Sequence, residues 1–528
     1  MIAEELKKLI GQDVKLEHPV NLTHGDYAFH ARGKATELVE KINKEKPDWL
    51  EKVEVVGSFV NFFLSPKFFV ESIAEINKEK ENFGRNFNLK DKKVIIEYTN
   101  TNVLKPLHIG HLMGNVIGEA LSRIIEGSGA EVKRDTYHGD VGLHIAKAVW
   151  GIKKLGGILE ANLSGQVEYI GKAYALGAES YESESQFAEE IKEINKKLYE
   201  NSDNDLAALY TWGRRVSLEH FEELYKKLWT KFDFDFFESE VAGEALAVVG
   251  EFLKKGVFKE SDGAVVFEGE KFEPSLHTRV FVTKQGVPTY EAKDIAHALR
   301  KFKIYPADQS IIITANEQDG YFKVVLRALR EISKDVAERT KHLSHGMLKL
   351  ATGKMSSRTS EVITAESLLA NIREKLGERG SDEIAVAALK YSILRQSPGK
   401  DIIFDFDKSL SFEGDSGPYL QYTCVRAKSV LEKAGNKAVY GGSPSVISSV
   451  EKLLYRFPEI VERVAVDYAP NYLVTYLTDL ASAFNSYYAA NKIIGSKEEA
   501  YRLALTTAVA QTLENGLNLL GIKVPAKM

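Results

Sequence analysis

The chain has 528 residues, 44% hydrophobic and 27% charged, enough for roughly three globular domains of about 150 residues each. Its formal net charge of −5 excludes capture of nucleic acid by overall attraction, so any such contact must rest on local basic and aromatic surface. The single cysteine, Cys424, excludes an internal disulfide and a cysteine-rich zinc site, and no structural zinc or other bound metal is expected.

Residues 1–88 begin with an amphipathic helical pattern, Ile2, Leu6 and Ile10 sharing one face, and end in a strand-like run from Val53 to Leu64. The start lacks the basic lead and apolar run of a signal peptide, and no stretch approaches the roughly 18 apolar residues of a membrane span. After a charged stretch, Asn77 to Lys93, the run VIIEY (94–98) leads through polar residues into a helical pattern, the first βα step of a parallel sheet. Val132 to Tyr137 is a second candidate strand. From Trp150 to Glu240 the pattern is helical and charged, and the span 150–260 is read as an insertion. Strand-like pieces return at Ala264–Phe267, Arg279–Thr283 and Ser310–Thr314, the last of buried parallel type. Residues 361–400 are helical again, with a break at Ser397-Pro398-Gly399. Near the end, Leu473, Leu477, Leu480 and Phe484 recur at three- and four-residue steps, as one buried helical face requires.

The sharpest chemical signal is Lys105-Pro106-Leu107-His108-Ile109-Gly110-His111, between the first parallel strand and its helix. Ligands of open α/β sheets sit beyond the carboxyl ends of strands, where helix N-termini offer unpaired N–H groups. Two histidines three apart at such an entrance can both address one phosphate chain, and Gly110 leaves room for a nucleotide against the backbone. Taken alone, the pair is equally a set of capping histidines, and it also marks nucleotidylyltransferases. Far downstream, Gly353-Lys354-Met355-Ser356-Ser357-Arg358 is a small basic loop of the kind that closes over a triphosphate. Together, in this order, the two segments resemble the HIGH and KMSKS signatures of class I aminoacyl-tRNA synthetases. The expected second lysine is replaced by Ser357; Lys105 is the preferred substitute and Arg358 the second candidate.

Within that class, EYTNTNVLKPLHIGH, VPTYEAKDIAHAL, KMSSRTSEVIT, GPYLQYTCVRAKSVL and NLLGIKVPAKM are similar to successive blocks of arginyl-tRNA synthetases. Guanidinium binds best to planar carboxylate acceptors, and three segments offer them at strand or helix ends: Glu97, Tyr290 to Asp294, and Asn316 to Asp319. The resemblance implies that Glu97, Tyr290 and Asp294 hold the guanidinium and that Asn102 and Gln318 hold the α-amino and α-carboxylate groups. It implies ATP contacts from His108, Gly110, His111, Lys354, Met355 and Ser356, with His108, His111, Lys105 and Lys354 as the catalytic set. Gly139-Asp140-Val141-Gly142 either shapes the adenosine pocket or is a plain tight turn.

Tyr419, Tyr422 and Arg426 fall on one helical face, as an anticodon platform needs, though both tyrosines equally suit a helical core. The resemblance assigns them, with Met528, to the anticodon, and Phe59 and Asn61 to the tRNA elbow; a strand packing on its own domain is the plain alternative for Asn61. The expected fold is α/β: a Rossmann-like parallel-sheet catalytic domain over 89–405 with the insertion. It follows an α+β N-terminal domain over 1–88 and precedes an all-α helical bundle over 406–528. The resemblance implies ATP with Mg²⁺ as substrate complex, L-arginine and tRNA(Arg) as partners, no membrane association, a monomer and a cytoplasmic location. A synthetase for cysteine would need zinc ligands absent here, and one for glutamate would want arginines in place of Glu97 and Asp294. A non-catalytic tRNA-binding relative would be expected to lose the intact His108, His111 and Lys354.

Overall fold

The computed structural model describes residues 2–31, 35–350, 364–435, 442 and 444–528. Near the N-terminus, β1 (Tyr27–His30), β2 (Leu50–Val56) and β3 (Phe59–Leu64) form an antiparallel sheet in the order β1-β3-β2. The run from Val53 to Leu64 is therefore a hairpin, turning at Gly57-Ser58, and not one strand. Period-2 alternation turns Val60, Phe62 and Leu64 inward against Leu6, Ile10 and Ile42 of the helices Ile2–Ile10 and Ala35–Lys44. This layer docks on the C-terminal helices. Tyr27 donates its hydroxyl to Glu459, the other Glu459 oxygen lies 3.0 Å from His18 Nε2, and Tyr455 enters the N-terminal core.

The central sheet is built from β4 (Lys93–Glu97), β5 (Glu131–His138) and β6 (Phe234–Phe237), then, after a small antiparallel sheet of β7 (Lys259–Ser261), β8 (Ala264–Phe267) and β9 (Arg279–Val282), from β10 (Gln309–Ala315) and β11 (Thr340–His345). Its order is β11-β10-β4-β5-β6 and every pair is parallel. The chain winds outward from β4 to β6 and then crosses back to β10. The winding direction thus reverses between β4 and β10, and the crevice opens there at the carboxyl ends. β12 (Leu348–Leu350) and β13 (Ile402–Phe404) pair beside it.

The structure also corrects the reading of the span 150–260. β6 lies inside the span 150–260 read wholly as insertion, and it is an edge strand of the main sheet. The inserted helices proper are Leu163–Ser183, Ser185–Glu200 and Asn204–Lys227. The strand-like pieces at Ala264–Phe267 and Arg279–Thr283 are β8 and β9 of the separate small sheet. Helices Leu143–Lys154 and Leu163–Ser183 cross at backbone contact: a Cβ on Gly151 would lie 1.9 Å from the Ala173 carbonyl oxygen, and one on Gly177 2.0 Å from that of Lys147. Only glycine fits on either side of this crossing.

The C-terminal part is helical, with Gly417–Lys433, Ser449–Leu454, Phe457–Asp467, Asn471–Ala490 and Glu499–Leu519 sharing one core with the helix Ile109–Gly127. That last-named helix also carries a polar tie. Glu119 accepts from Tyr98, Arg123 and Arg134, and Arg123 donates to Asn518 at 2.9 Å and to the Trp229 carbonyl at 3.1 Å. Buried Lys390, pushed down to about 7 by burial, donates to the carbonyls of Leu228 and Gly521, both at 2.6 Å. Among the described residues, no helix is long and apolar enough to cross a membrane.

Candidate active site

The loop after β4 is held in a costly shape. Thr99, Asn100 and Leu104 all adopt positive φ (79°, 46° and 58°), which for non-glycine residues costs on the order of 1–3 kcal/mol each. Surrounding bonds enforce it. Val103 N–H donates to Gly139 O, Gly139 N–H to Thr101 O, Leu104 N–H to Ser217 Oγ, and Asn115 Nδ2 to Thr99 Oγ1. Strain maintained this way fixes the entrance of the helix Ile109–Gly127 against both β5 and the insertion.

His108 caps that helix. Its Nδ1 accepts from Gly110 N–H at 3.1 Å, while His108 N–H donates to His111 Nδ1 at 3.3 Å. Both Nδ1 atoms are thus acceptors, so each neutral ring carries its proton on Nε2 and keeps that N–H as a free donor. Burial pushes both imidazoles below their ordinary value; Lys105 adds to this for His108, and for His111 the neighbouring His108 and then Lys105 do so. The rings stack, with centroids 3.8 Å apart. A Cβ on Gly110 would come within 2.9 Å of the His108 ring, so the glycine serves the cap as well as any ligand. Lys105 turns towards the insertion, its ammonium 5.3 Å from the Tyr174 ring. Lys354, Met355 and Ser356 lie outside the described residues; the chain is described again at Thr364, which bridges to His108.

A cavity of about 550 Å³ opens at the switch point. Glu97, Asn102, His108, Gly110, His111, Tyr290, Asp294 and Gln318 all line it, with Glu317 of the same predicted segment, joined by Tyr137, Glu238 and Tyr321, which the sequence reading did not single out. Tyr290, Asp294, His297 and Lys301 follow one another at four- and three-residue steps, so one helical face aims all four at the carboxyl end of the sheet.

The carboxylates differ in their partners. Glu97 is buried and already neutralised: Oε2 accepts from Lys301 Nζ at 2.5 Å and lies 3.3 Å from His297 Nε2, while Oε1 accepts from Asn100 at 2.9 Å. Burial works to raise its pKa, yet Lys301 and His297 overcome this and hold Glu97 well below the usual carboxylate range. Glu238 pairs with Lys293. Among the described residues, Asp294 meets no cation within ion-pair distance; Tyr321 donates to its Oδ2 at 2.6 Å. Burial, reinforced by Glu97 and Glu238 against the Tyr321 bond, raises Asp294 to about 7. Among the described residues one metal-ligand cluster occurs, Glu97, Asp135 and His297 with ligand atoms within 4.8 Å of one another. Lys301 Nζ contacts both of its carboxylates, at 2.5 and 3.6 Å, and takes the place a cation would hold.

Away from the pocket, Tyr419, Tyr422 and Arg426 do share a face. Arg426 donates to the Tyr422 hydroxyl at 3.0 Å and to Asn485 at 2.6 Å, and Asn485 donates to the Tyr419 hydroxyl at 3.0 Å. All three stay half-exposed, and Arg426 also lies over the Tyr488 ring at 5.4 Å. Met528 is exposed. Phe59 is exposed on β3 but Asn61 is only 4% exposed, so the two do not present one open face.

A doubly wound parallel sheet with a histidine-capped helix at its switch point, followed by a helical bundle, is the architecture of a class I aminoacyl-tRNA synthetase. Residues 72–406 match the family model "tRNA synthetases class I (R), catalytic domain", and residues 420–528 match the "DALR anticodon binding domain". The chain is 31% identical to the arginine–tRNA ligase of Clostridium kluyveri over all of its own length and 99% of that protein. It is 32% identical to that of Ligilactobacillus salivarius, over 99% of this chain and 97% of that one. The solved arginyl-tRNA synthetase of Thermus thermophilus shares the fold at a TM-score of 0.81 and 24% identity, with each chain fully covered. The chain belongs to the arginyl-tRNA synthetase family.

Proposed function

We propose that the protein is an arginine–tRNA ligase, which activates arginine with MgATP as arginyl-adenylate and transfers the arginyl group to the terminal adenosine of tRNA(Arg), releasing AMP and diphosphate. The observation that carries this reading is the Asp294 carboxylate, unpaired with any cation among the described residues, in a cavity that also holds the two neutral histidines. The substrate carboxylate attacks the α-phosphorus of ATP, and diphosphate leaves. His108 and His111 supply Nε2–H donors for the charge that shifts onto phosphate oxygens, and Lys105 and Lys354 complete the set. No side chain need act as a nucleophile; positioning and preorganised donors carry the rate. Asp294 and Glu97, with Tyr290, receive the guanidinium, and Asn102 and Gln318 the backbone groups of the amino acid.

The half-exposed Tyr419–Tyr422–Arg426 cluster supports stacking of anticodon bases, the exposed Met528 is assigned to the same contact, and Phe59 supports contact at the tRNA elbow. Asn61 would have to become accessible to share that contact. This reading assigns 1–88 to the elbow, 89–405 to catalysis and 406–528 to the anticodon, in a cytoplasmic monomer. ATP–diphosphate exchange with each amino acid in turn, with and without tRNA, tests it. Arginine-dependent exchange that requires tRNA is expected, and exchange with a different amino acid alone would refute it. Lys105→Ala should abolish exchange; normal turnover would hand the role of the missing loop lysine to Arg358.

A further inference from the structure

Within the pocket, neither carboxylate offers both of its oxygens. Glu97 Oε2 is taken by Lys301 and Oε1 by Asn100. Asp294 Oδ2 is taken by the Tyr321 hydroxyl. Tyr321 is itself fixed from three sides: its helix Asp319–Ile332 starts at the pocket, its ring meets Phe322 edge-on at 5.1 Å, and the Arg279 guanidinium lies 5.3 Å from its centroid. Arg279 is held in turn by Glu291 at 3.0 Å, one helical turn before Asp294.

Resting on the reading of this pocket as the arginine site, we infer that Tyr321 is a specificity-determining positioning residue. With Oδ2 engaged by Tyr321, Asp294 Oδ1 and Glu238 Oε1 carry no protein hydrogen bond among the described residues, so the pocket suits a planar cation bridged between Asp294 and Glu238. A compact ammonium, with its donors converging on one point, reaches only one of the two acceptors. A phenol donor also favours the ionised form of the carboxylate it bonds, which is the form a cation needs.

Other titratable groups face Asp294. Glu97 and Tyr137 come from the sheet, Glu238 comes with its partner Lys293, and Tyr290, His297 and Lys301 lie on its own helix. Glu97 and Glu238 each have a lysine partner, and Tyr137 and Tyr290 stay neutral through the physiological range. His297 titrates too, so the acid limb of arginine binding must be compared between variants and not assigned from one profile.

The test is Tyr321→Phe in the full chain, by ATP–diphosphate exchange with tRNA present. The arginine KM should rise about tenfold with kcat within about twofold, the preference for arginine over lysine should fall about tenfold, and the acid limb of 1/KM should move to higher pH. Unchanged KM, preference and acid limb would overturn the inference. Calorimetric arginine binding in an Asp294→Asn background should be insensitive to Tyr321→Phe; a full-sized residual effect there would equally overturn it. Should Tyr321→Phe fail to fold, titration of the unaltered chain with arginine at pH 6 in two buffers of different ionisation heat should still report proton release, and its absence would refute the ionised-acceptor geometry. Failure of the unaltered chain to exchange with arginine at all would instead remove the underlying reading.

Discussion

Replacing Lys301 by methionine isolates what one buried ammonium does for this fold. Lys301 Nζ lies 2.5 Å from Glu97 and 3.6 Å from Asp135, and all three side chains are 4% exposed or less. Methionine preserves most of the volume, so the loss is chiefly electrostatic: among the described residues, the two buried carboxylates keep only His297 as counter-charge. Breaking a buried pair by removing one partner costs about 3–5 kcal/mol. The pH dependence carries a sign. In the native chain Glu97 is held well below its ordinary value despite burial, so its stabilisation is present above the ordinary carboxylate range and is lost only as pH falls beneath it. In Lys301→Met burial raises Glu97, so the penalty is greatest at neutral pH and shrinks as the carboxyl takes up a proton in mild acid. Urea denaturation at pH 7 and pH 5, followed by a probe near the sheet, reads both effects. A deficit under about 1 kcal/mol, the scale of an exposed pair, or an equal deficit at both pH values, would refute the argument.

Three further outcomes are expected. Because burial raises Asp294 to about 7, it must release a proton to receive a cation; the apparent arginine affinity should fall as pH drops below about 7, and Asp294→Asn should flatten that limb while raising the arginine KM roughly a hundredfold. Gly177→Ala drives a methyl group into the Lys147 carbonyl and should destabilise the insertion by about 1–3 kcal/mol, visible as a lower thermal midpoint, whereas Gly243→Ala, with open space at its Cβ, should not. Tyr422→Ala should raise the tRNA KM about tenfold and leave the ATP KM unchanged, as steady-state aminoacylation with each substrate varied will report.

The parts legible in the sequence were those written in buried apolar runs. VIIEY, Val132 to Tyr137 and the SIIIT run became β4, β5 and β10, the three interior strands of the main sheet. The two edges were missed for different reasons: TKHLSH, which is β11, is polar, and FDFF, which is β6, is only four residues long, with its aromatics interrupted by Asp235. Missing β6 also hid Glu238, which is placed at the pocket only because it follows that strand. The pocket helix was readable from Tyr290 and Asp294, and the same three-and-four spacing extended to His297 and Lys301; continuing it would have exposed the internal counter-ion of Glu97. Tyr321 left no such trace, since its role depends on two helices converging from distant parts of the chain. Asn61 misled because alternation along a strand states which residues share a face, not whether that face is covered.

The helix Ile109–Gly127 is a rod of about 28 Å with unlike attachments at its two ends. One end carries the paired imidazoles on a strained collar. The other is bolted through Glu119 and Arg123 to the neighbouring strand and to Asn518 near the chain terminus. The terminal bundle and the imidazoles thus share one rigid element, which the sheet also holds through Arg134.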